Sequence, residues 1–247
     1  FREVTADTIF RPSTTPKLPS INRSALPVEM DPLQKRLYDS LQQDMMAILE
    51  SGQILMTPNT LALTTRLRQV LCCPKILDPE IKTYGAGLEA IIDHIGEDDG
   101  RQHCVIFVPF VDAIPFVRAR LRQAGIDEHV VFQHGMDSND LKEGEEFFRS
   151  RPGSVAIVSI LFAQSFELES GVGAYFLGHS FNPDDNEQGE GRLRRKTTKL
   201  DSVPVWYVKH LGTYDDRSLG ILDRKTLNTR VDIRDLHGLR HLITGAE

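Results

Sequence analysis

The chain has 247 residues, 40% hydrophobic and 26% charged, with a formal net charge of -6, an ordinary globular composition for one or two domains with a sizeable core. Its longest unbroken apolar stretch, Cys104 to Val111, is far too short to cross a bilayer, and no basic-then-apolar leader opens the chain. A soluble, unexported protein with no membrane partner is therefore expected. The three cysteines, Cys72, Cys73 and Cys104, form neither a disulfide framework nor a paired zinc-ligand set, which points to a reducing interior and no metal site. Because it opens on Phe1 rather than Met, the chain is expected to be a piece of a longer protein.

Residues 1–25 carry Pro12, Pro16 and Pro19 among serines and threonines, with no sustained apolar period, and read as an extended arm or linker. Residues 26–83 read as a helical lead-in. Asp31 is a candidate N-cap with Pro32 in the first turn, and Leu33, Leu37, Leu41, Met45 and Ile48 continue a helical period toward Ser51-Gly52. A second helix over Asn59 to Cys73 places Leu63, Leu67, Val70 and Leu71 on one face and stops at Pro74.

From Tyr84 to Gly212 the pattern changes to short apolar runs separated by helical segments. Strands are expected at Cys104–Val108, Val130–Gln133, Val155–Ile160, Ala174–Leu177 and Val205–Val208. Helices are expected around Leu88, Ile91, Ile92 and Ile95, around Val117 and Leu121, around Leu141 and Phe148, and over the polar stretch Asp184 to Lys199. Strand-length apolar runs alternating with helices predict an α/β fold with a parallel sheet covered on both faces. The tail, residues 213–247, is expected to be a short helical extension carrying Leu219, Ile221 and Leu222. In such folds the working residues lie on loops at the carboxyl ends of strands.

Absences exclude several enzymes that use this architecture. No GxxxxGK[ST] loop is present to cradle a triphosphate, and Gly171-Val172-Gly173 with Gly178 has the wrong spacing, and the wrong side of a strand, for a dinucleotide fingerprint. No GxSxG elbow or HExxH pair occurs. Asp127-Glu128-His129-Val130 looks like a helicase acidic box but precedes an apolar run instead of ending one, and reads as a solvated loop entering a strand.

The most informative segment runs from Asn182 to Lys199. From Gln188 to Lys199 there are five basic residues and one acid, a local charge of +4 against -10 for the rest of the chain. On a helix, Gln188, Arg192 and Arg195 would share one face at spacings of four and three. Guanidinium forks suit phosphate oxygens and the charge that develops in phosphoryl transfer. From charge alone, a solvated basic helix face is the better description.

Gln188-x-x-x-Arg192-x-x-Arg195, preceded by Asn182-Pro183, resembles motif VI of superfamily 2 helicases, most closely the SWI/SNF-type DNA translocases. Other matches follow in the same order. Leu26-Pro-Val-Glu-Met30 with Gln34 and Tyr38, then Thr65-Arg66-Leu67-Arg68-Gln69 with Cys72-Cys73-Pro74, resemble the lead into the second lobe. Val105-Ile-Phe-Val108 is similar to the motif IV strand, and Gln133-His134-Gly135 to the signature after the next strand. Val158-Ser159 through Gln164-Ser165-Phe166-Glu167-Leu168 occupies the motif V position, although Phe162-Ala163-Gln164-Ser165-Phe166 replaces the family's glycine-rich run. Thr213-Tyr214-Asp215 resembles the turn after the last strand.

The resemblance implies a RecA-like C-terminal lobe over residues 84–212. It assigns Arg192 and Arg195 to nucleotide phosphates as arginine fingers, Gln188 to coupling between lobes, and Glu167 and Gln164 to the nucleotide side. Ser159, His134, Gly135 and Pro109 fall at positions expected to meet a nucleic-acid backbone. It further implies ATP and Mg2+ as cofactors of the complete two-lobed enzyme, with neither held tightly by this chain alone. An N-terminal RecA-like lobe and duplex DNA are the implied partners, with a cytoplasmic or nucleoid-associated location. Lacking the phosphate-binding loop, this chain alone is expected to be inactive as an ATPase. A degenerate RecA-like module that binds or regulates other proteins remains a second reading. A third, an unrelated small-molecule enzyme, lacks an acid, base or nucleophile at the strand ends.

Overall fold

A computed structural model describes residues 18–49, 51–57, 59–97, 103–162, 166–168, 170–195, 198 and 200–218. The first element is a strand. β1 (Ser20–Val28) lies parallel to β8 (Ser202–His210) over its whole length, from Ser20 opposite Ser202 to Val28 opposite His210. Residues 20–25, expected in an extended arm, thus belong to the sheet. β1 is an edge strand: four of its first five residues are polar and its apolar end, Ala25 to Val28, is broken by a proline, so it does not read as a strand; Pro27 fits because an edge need not donate every N–H.

α1 (Pro32–Asp44) starts where expected: the Asp31 carboxylate accepts from the N–H groups of Leu33 and Gln34 at 3.0 and 2.9 Å. It ends earlier than the apolar period suggests. Met45 adopts a left-handed conformation at φ 54°, and its N–H bonds the Leu41 carbonyl. The chain then forms a small antiparallel hairpin, β2 (Met46–Ile48) with β3 (Ile54–Met56). Ile48 therefore sits on a strand rather than on the expected helix. α2 (Thr60–Cys72) is capped by Asn59 and buries Leu63, Leu67, Val70 and Leu71. These residues meet Leu37, Tyr38 and Leu41 of α1, with Ile81 and Tyr214, in one apolar cluster.

The remaining elements alternate. α3 (Ala86–Glu97) leads to β4 (Cys104–Val108), then α4 (Ile114–Gln123), β5 (His129–Phe132), α5 (Ser138–Ser150), β6 (Val155–Ser159), β7 (Gly173–Phe176), α6 (Pro183–Leu193) and β8. The six-stranded sheet has the order β1-β8-β7-β4-β6-β5 and every pair is parallel. Side chains alternate across it. Cys104, Ile106 and Val108 of β4 pack with Leu88, Ile91 and Ile95 of α3 and Val117 and Leu121 of α4. Val105 and Phe107 point the other way, toward Phe148 of α5 and Leu193 of α6. This is a RecA-like α/β sheet with helices on both faces. Asp127 and Glu128 precede β5, so they do not end a strand. Burial pushes the Cys104 thiol up to about 12. No helix among the described residues is long and apolar enough to cross a membrane. The helical tail is described only over 214–218; Leu219, Ile221 and Leu222 lie outside the described residues.

Candidate functional site

α6 is started by the Asn182 side chain, which accepts from the Asp184 N–H at 3.3 Å, and by Pro183 at its first position. Asp184 and Asp185 suit the positive end of the helix. At its centre the helix comes down onto the sheet. A Cβ on Gly189 would lie 3.1 and 3.2 Å from Phe107 ring atoms, so only glycine permits this approach without displacing a packed ring. Its neighbour Gln188 faces solvent, Glu190 is buried and Arg192 is half-buried. The helix ends at Leu193, short of the expected Lys199. Arg195 therefore lies beyond the helix and does not share a helical face with Gln188 and Arg192. It is set by a turn in which Thr198 Oγ1 donates to the Leu193 carbonyl at 2.7 Å and accepts from the Arg195 N–H at 3.0 Å. A hydroxyl that closes the last turn replaces the helical bonds that Arg195 would need.

The turn nevertheless brings Arg195 back to the same partner segment as Arg192. Arg192 Nη1 donates to the Phe166 carbonyl at 3.2 Å, and the Leu168 N–H donates to the Arg192 carbonyl at 3.2 Å. Arg195 Nε lies 3.5 Å from Glu167 Oε1. That nitrogen is buried and makes no hydrogen bond among the described residues. Burial lowers the Arg192 pKa, as does the charge of Arg195, while Glu167 opposes both. Two guanidinium groups are thus held side by side on residues 166–168, and the exposed Glu167 balances only part of their charge. Gln164 lies outside the described residues.

The other expected residues sit at the carboxyl edge of the sheet. Pro109 follows β4, and its ring would touch a Cβ on Gly178 at 2.9 Å. His134 and Gly135 follow β5, both exposed, with Gly135 at φ 94° in a turn that only glycine adopts freely. Ser159 ends β6 and is 3% exposed. Little of its surface therefore faces solvent. Aromatic rings join the edge to the arginines. His134 lies edge-on to Phe162 at 6.1 Å, Phe162 stacks on Phe166 at 5.9 Å, and Phe166 stacks on Phe132 at 4.5 Å. Phe162 and Phe166, which stand where glycines were expected, anchor the very carbonyl that Arg192 holds.

A buried polar network that the sequence did not reveal ties the lead-in helices to this edge. Arg68 of α2 donates to the His179 carbonyl and stacks over Phe181 at 4.3 Å. His210 Nδ1 bonds the Asp215 carboxylate at 2.8 Å, and Tyr38 of α1 accepts from the Tyr214 N–H at 2.9 Å. Burial pushes the Asp215 carboxyl up, but its bond to His210 and the charges of His210, His179 and Arg68 hold it below the usual range. His179 is driven down to about 4 by burial. The residues are scattered from 38 to 215; Tyr38, Arg68 and Thr213-Tyr214-Asp215 stood out beforehand, and only as family matches.

No protein-family model matches the sequence, and no curated protein does. Solved structures match over most of the chain. "Crystal structure of the C-terminal part of Fun30 ATPase domain" is 12% identical, with TM-score 0.68, covering 92% of this chain and 99% of that one. This is the fold of a SWI2/SNF2-type C-terminal lobe. The Sulfolobus solfataricus SWI2/SNF2 ATPase C-terminal domain is 15% identical, with TM-score 0.67, covering 92% of this chain and 100% of that one. The Sulfolobus solfataricus SWI2/SNF2 ATPase core in complex with dsDNA is 17% identical, with TM-score 0.67, over 84% of this chain. This chain spans 44% of that core. The expected RecA-like sheet and its helical layers are thus shared with these solved domains.

Proposed function

We propose that the chain is the second motor lobe of an ATP-dependent DNA helicase or translocase. Arg192 and Arg195 are its nucleotide-facing groups, and the carboxyl edge around Pro109, His134 and Gly135 is its nucleic-acid side. The observation that carries this reading is the convergence of the two arginines on residues 166–168 within a SWI2/SNF2-type lobe. The Arg195 Nε fits a phosphate: it is a buried cationic donor that makes no hydrogen bond among the described residues and has the Glu167 carboxylate beside it at 3.5 Å. Bound ATP supplies the transferable phosphoryl group, and its Mg2+ neutralises phosphate charge. Arg192 and Arg195 would hold phosphate oxygens as charge develops on them, while residues 166–168 fix where the guanidinium groups lie. Gln188, exposed on α6, would meet the first lobe.

That lobe would have to supply the phosphate-binding loop, since the sequence has no GxxxxGK[ST]. An arginine finger accelerates only where nucleotide and metal are already held. The test joins this chain to a first lobe, in cis or as a separate polypeptide, and measures ATP hydrolysis with and without duplex DNA. Hydrolysis that requires both halves and rises with DNA supports the reading; a lobe pair that never hydrolyses ATP overturns it. One observation favours a protein-binding module instead: Arg195 already faces Glu167 of its own chain at 3.5 Å. Under that reading the joined protein binds a partner but its ATPase does not depend on either arginine.

A further inference from the structure

Glu190 lies between Gln188 and Arg192 on the face of α6 that meets the sheet, and it is 3% exposed. A carboxylate so placed needs charge-assisted partners, because an unpaired buried charge is costly. It has two. Arg23 of β1 holds it in a fork, Nε to Oε1 at 2.7 Å and Nη2 to Oε2 at 2.6 Å. Tyr207 of β8 donates its hydroxyl to Oε1 at 3.1 Å. Arg23 and Tyr207 are brought together by the parallel register, in which Arg23 is opposite Val205 and Ala25 opposite Tyr207. The hydrogen bond to Glu190 raises the Arg23 pKa despite partial burial.

The grip is continuous with the packing beneath the helix. Tyr207 stacks on Phe176 at 4.4 Å, Phe176 stacks on Phe107 at 4.5 Å, and Phe107 is the ring on which Gly189 rests. Gly189 therefore sets how close α6 approaches the sheet, and Glu190 sets its roll about its own axis. Two residues on, that roll decides whether Arg192 reaches the Phe166 carbonyl. β1 is one of the two edge strands and pairs within the sheet with β8 alone, so the Arg23 end of the fork is carried by a strand with one side unpaired.

We propose that Arg23 and Tyr207 are positioning residues for Arg192 and Arg195, acting through Glu190, and that pairing of β1 with β8 is thereby coupled to the nucleotide site. This deepens the motor-lobe reading and rests on the phosphate-facing role of the two arginines. Withdrawing β1 strands the Glu190 carboxylate against Tyr207, and α6 must roll to return it to water. Arg192 then leaves the 166–168 segment.

The two-lobed protein carrying this chain tests it, with kcat and KM for ATP measured at saturating duplex DNA. Arg23→Gln is expected to lower kcat by about 10- to 100-fold, the scale of a misplacement of about 1 Å, with KM moving far less. Glu190→Gln should lower it similarly. Arg23→Glu combined with Glu190→Arg should recover most of the rate lost by either single change. Should Arg23→Gln fail to fold, Tyr207→Phe removes a single hydrogen bond and is expected to lower kcat by a smaller factor. Arg192→Ala, measured alongside, separates the two ideas. A rate indifferent to Arg192→Ala overturns the motor-lobe reading. A rate that needs Arg192 but keeps its kcat in Arg23→Gln and Tyr207→Phe overturns only the positioning role.

Discussion

Arg192 reaches from the last turn of α6 to the main-chain carbonyl of Phe166 at 3.2 Å, and two residues on, the Leu168 N–H returns a bond to the Arg192 carbonyl at 3.2 Å. The candidate finger and the motif V segment thus position each other. Phe166 holds its place by stacking on Phe132, so the geometry of the guanidinium is tied to the core of the sheet. This compensates for the missing glycines: bulky rings fix a segment that glycine would leave adaptable.

Close approach of α6 depends on Gly189. Gly189→Val places methyl groups where even a Cβ would lie 3.1 Å from the Phe107 ring. The expected cost is about 1–3 kcal/mol of stability, measured by urea unfolding, with an accompanying loss of any arginine-dependent rate. A variant as stable as the parent would show that the helix can rise off the sheet freely.

The lead-in helices are locked to the strand-end turn by Tyr38. Tyr38→Phe leaves the buried Tyr214 N–H without its acceptor at 2.9 Å, and an unsatisfied buried donor costs about 1–3 kcal/mol. A lowered melting temperature is the expected result, whereas an unchanged one would mean that water or another acceptor replaces the phenol.

Stability should depend on pH through His179. Its pKa is about 4 in the folded protein, against 6.5 for the free group, because it is buried. The unfolded chain therefore binds the extra proton first. The contribution is fully present above pH ~6.5 and is lost as pH falls toward ~4, by on the order of 3 kcal/mol if complete. Ser218 Oγ donates to the Asp215 carbonyl at 3.2 Å and lies 2.9 Å from His179 Nε2, while His179 Nδ1 is buried with no hydrogen-bond partner among the described residues, so a second ring proton would leave one buried N–H unsatisfied. Asp215 opposes nothing in this window, since its pKa lies below the usual carboxylate range. Thermal melts of parent and His179→Asn between pH 4 and 6.5 check this: the variant should show the flatter profile, and parallel profiles would exclude His179 as the cause.

Much of the central sheet was legible because β4, β6 and β7 are buried on both faces and read as apolar runs. The strand β1 was not, because only one side of it is paired, its first half is mostly polar and Pro27 interrupts its apolar end. The hairpin β2–β3 was hidden by an apolar spacing that continues the helical period past Asp44; the left-handed Met45 that breaks it leaves no signature in composition. At the site, the order Gln188, Arg192, Arg195 was legible, but its helical spacing misplaced Arg195, which Thr198 turns back instead. Glu190 was counted only as the one acid in a basic stretch. Its partners, Arg23 and Tyr207, are distant in sequence, and only the parallel pairing of β1 with β8 brings them to it.

The central claim is that Arg192 and Arg195 act on nucleotide phosphates. Its most direct test is the DNA-stimulated ATPase rate of the two-lobed protein carrying Arg192→Ala or Arg195→Ala, with duplex DNA binding measured in parallel. The account predicts that each change lowers kcat by roughly 10³-fold or more, the scale of a lost arginine finger, while DNA is still bound. Parental rates in both variants would contradict it.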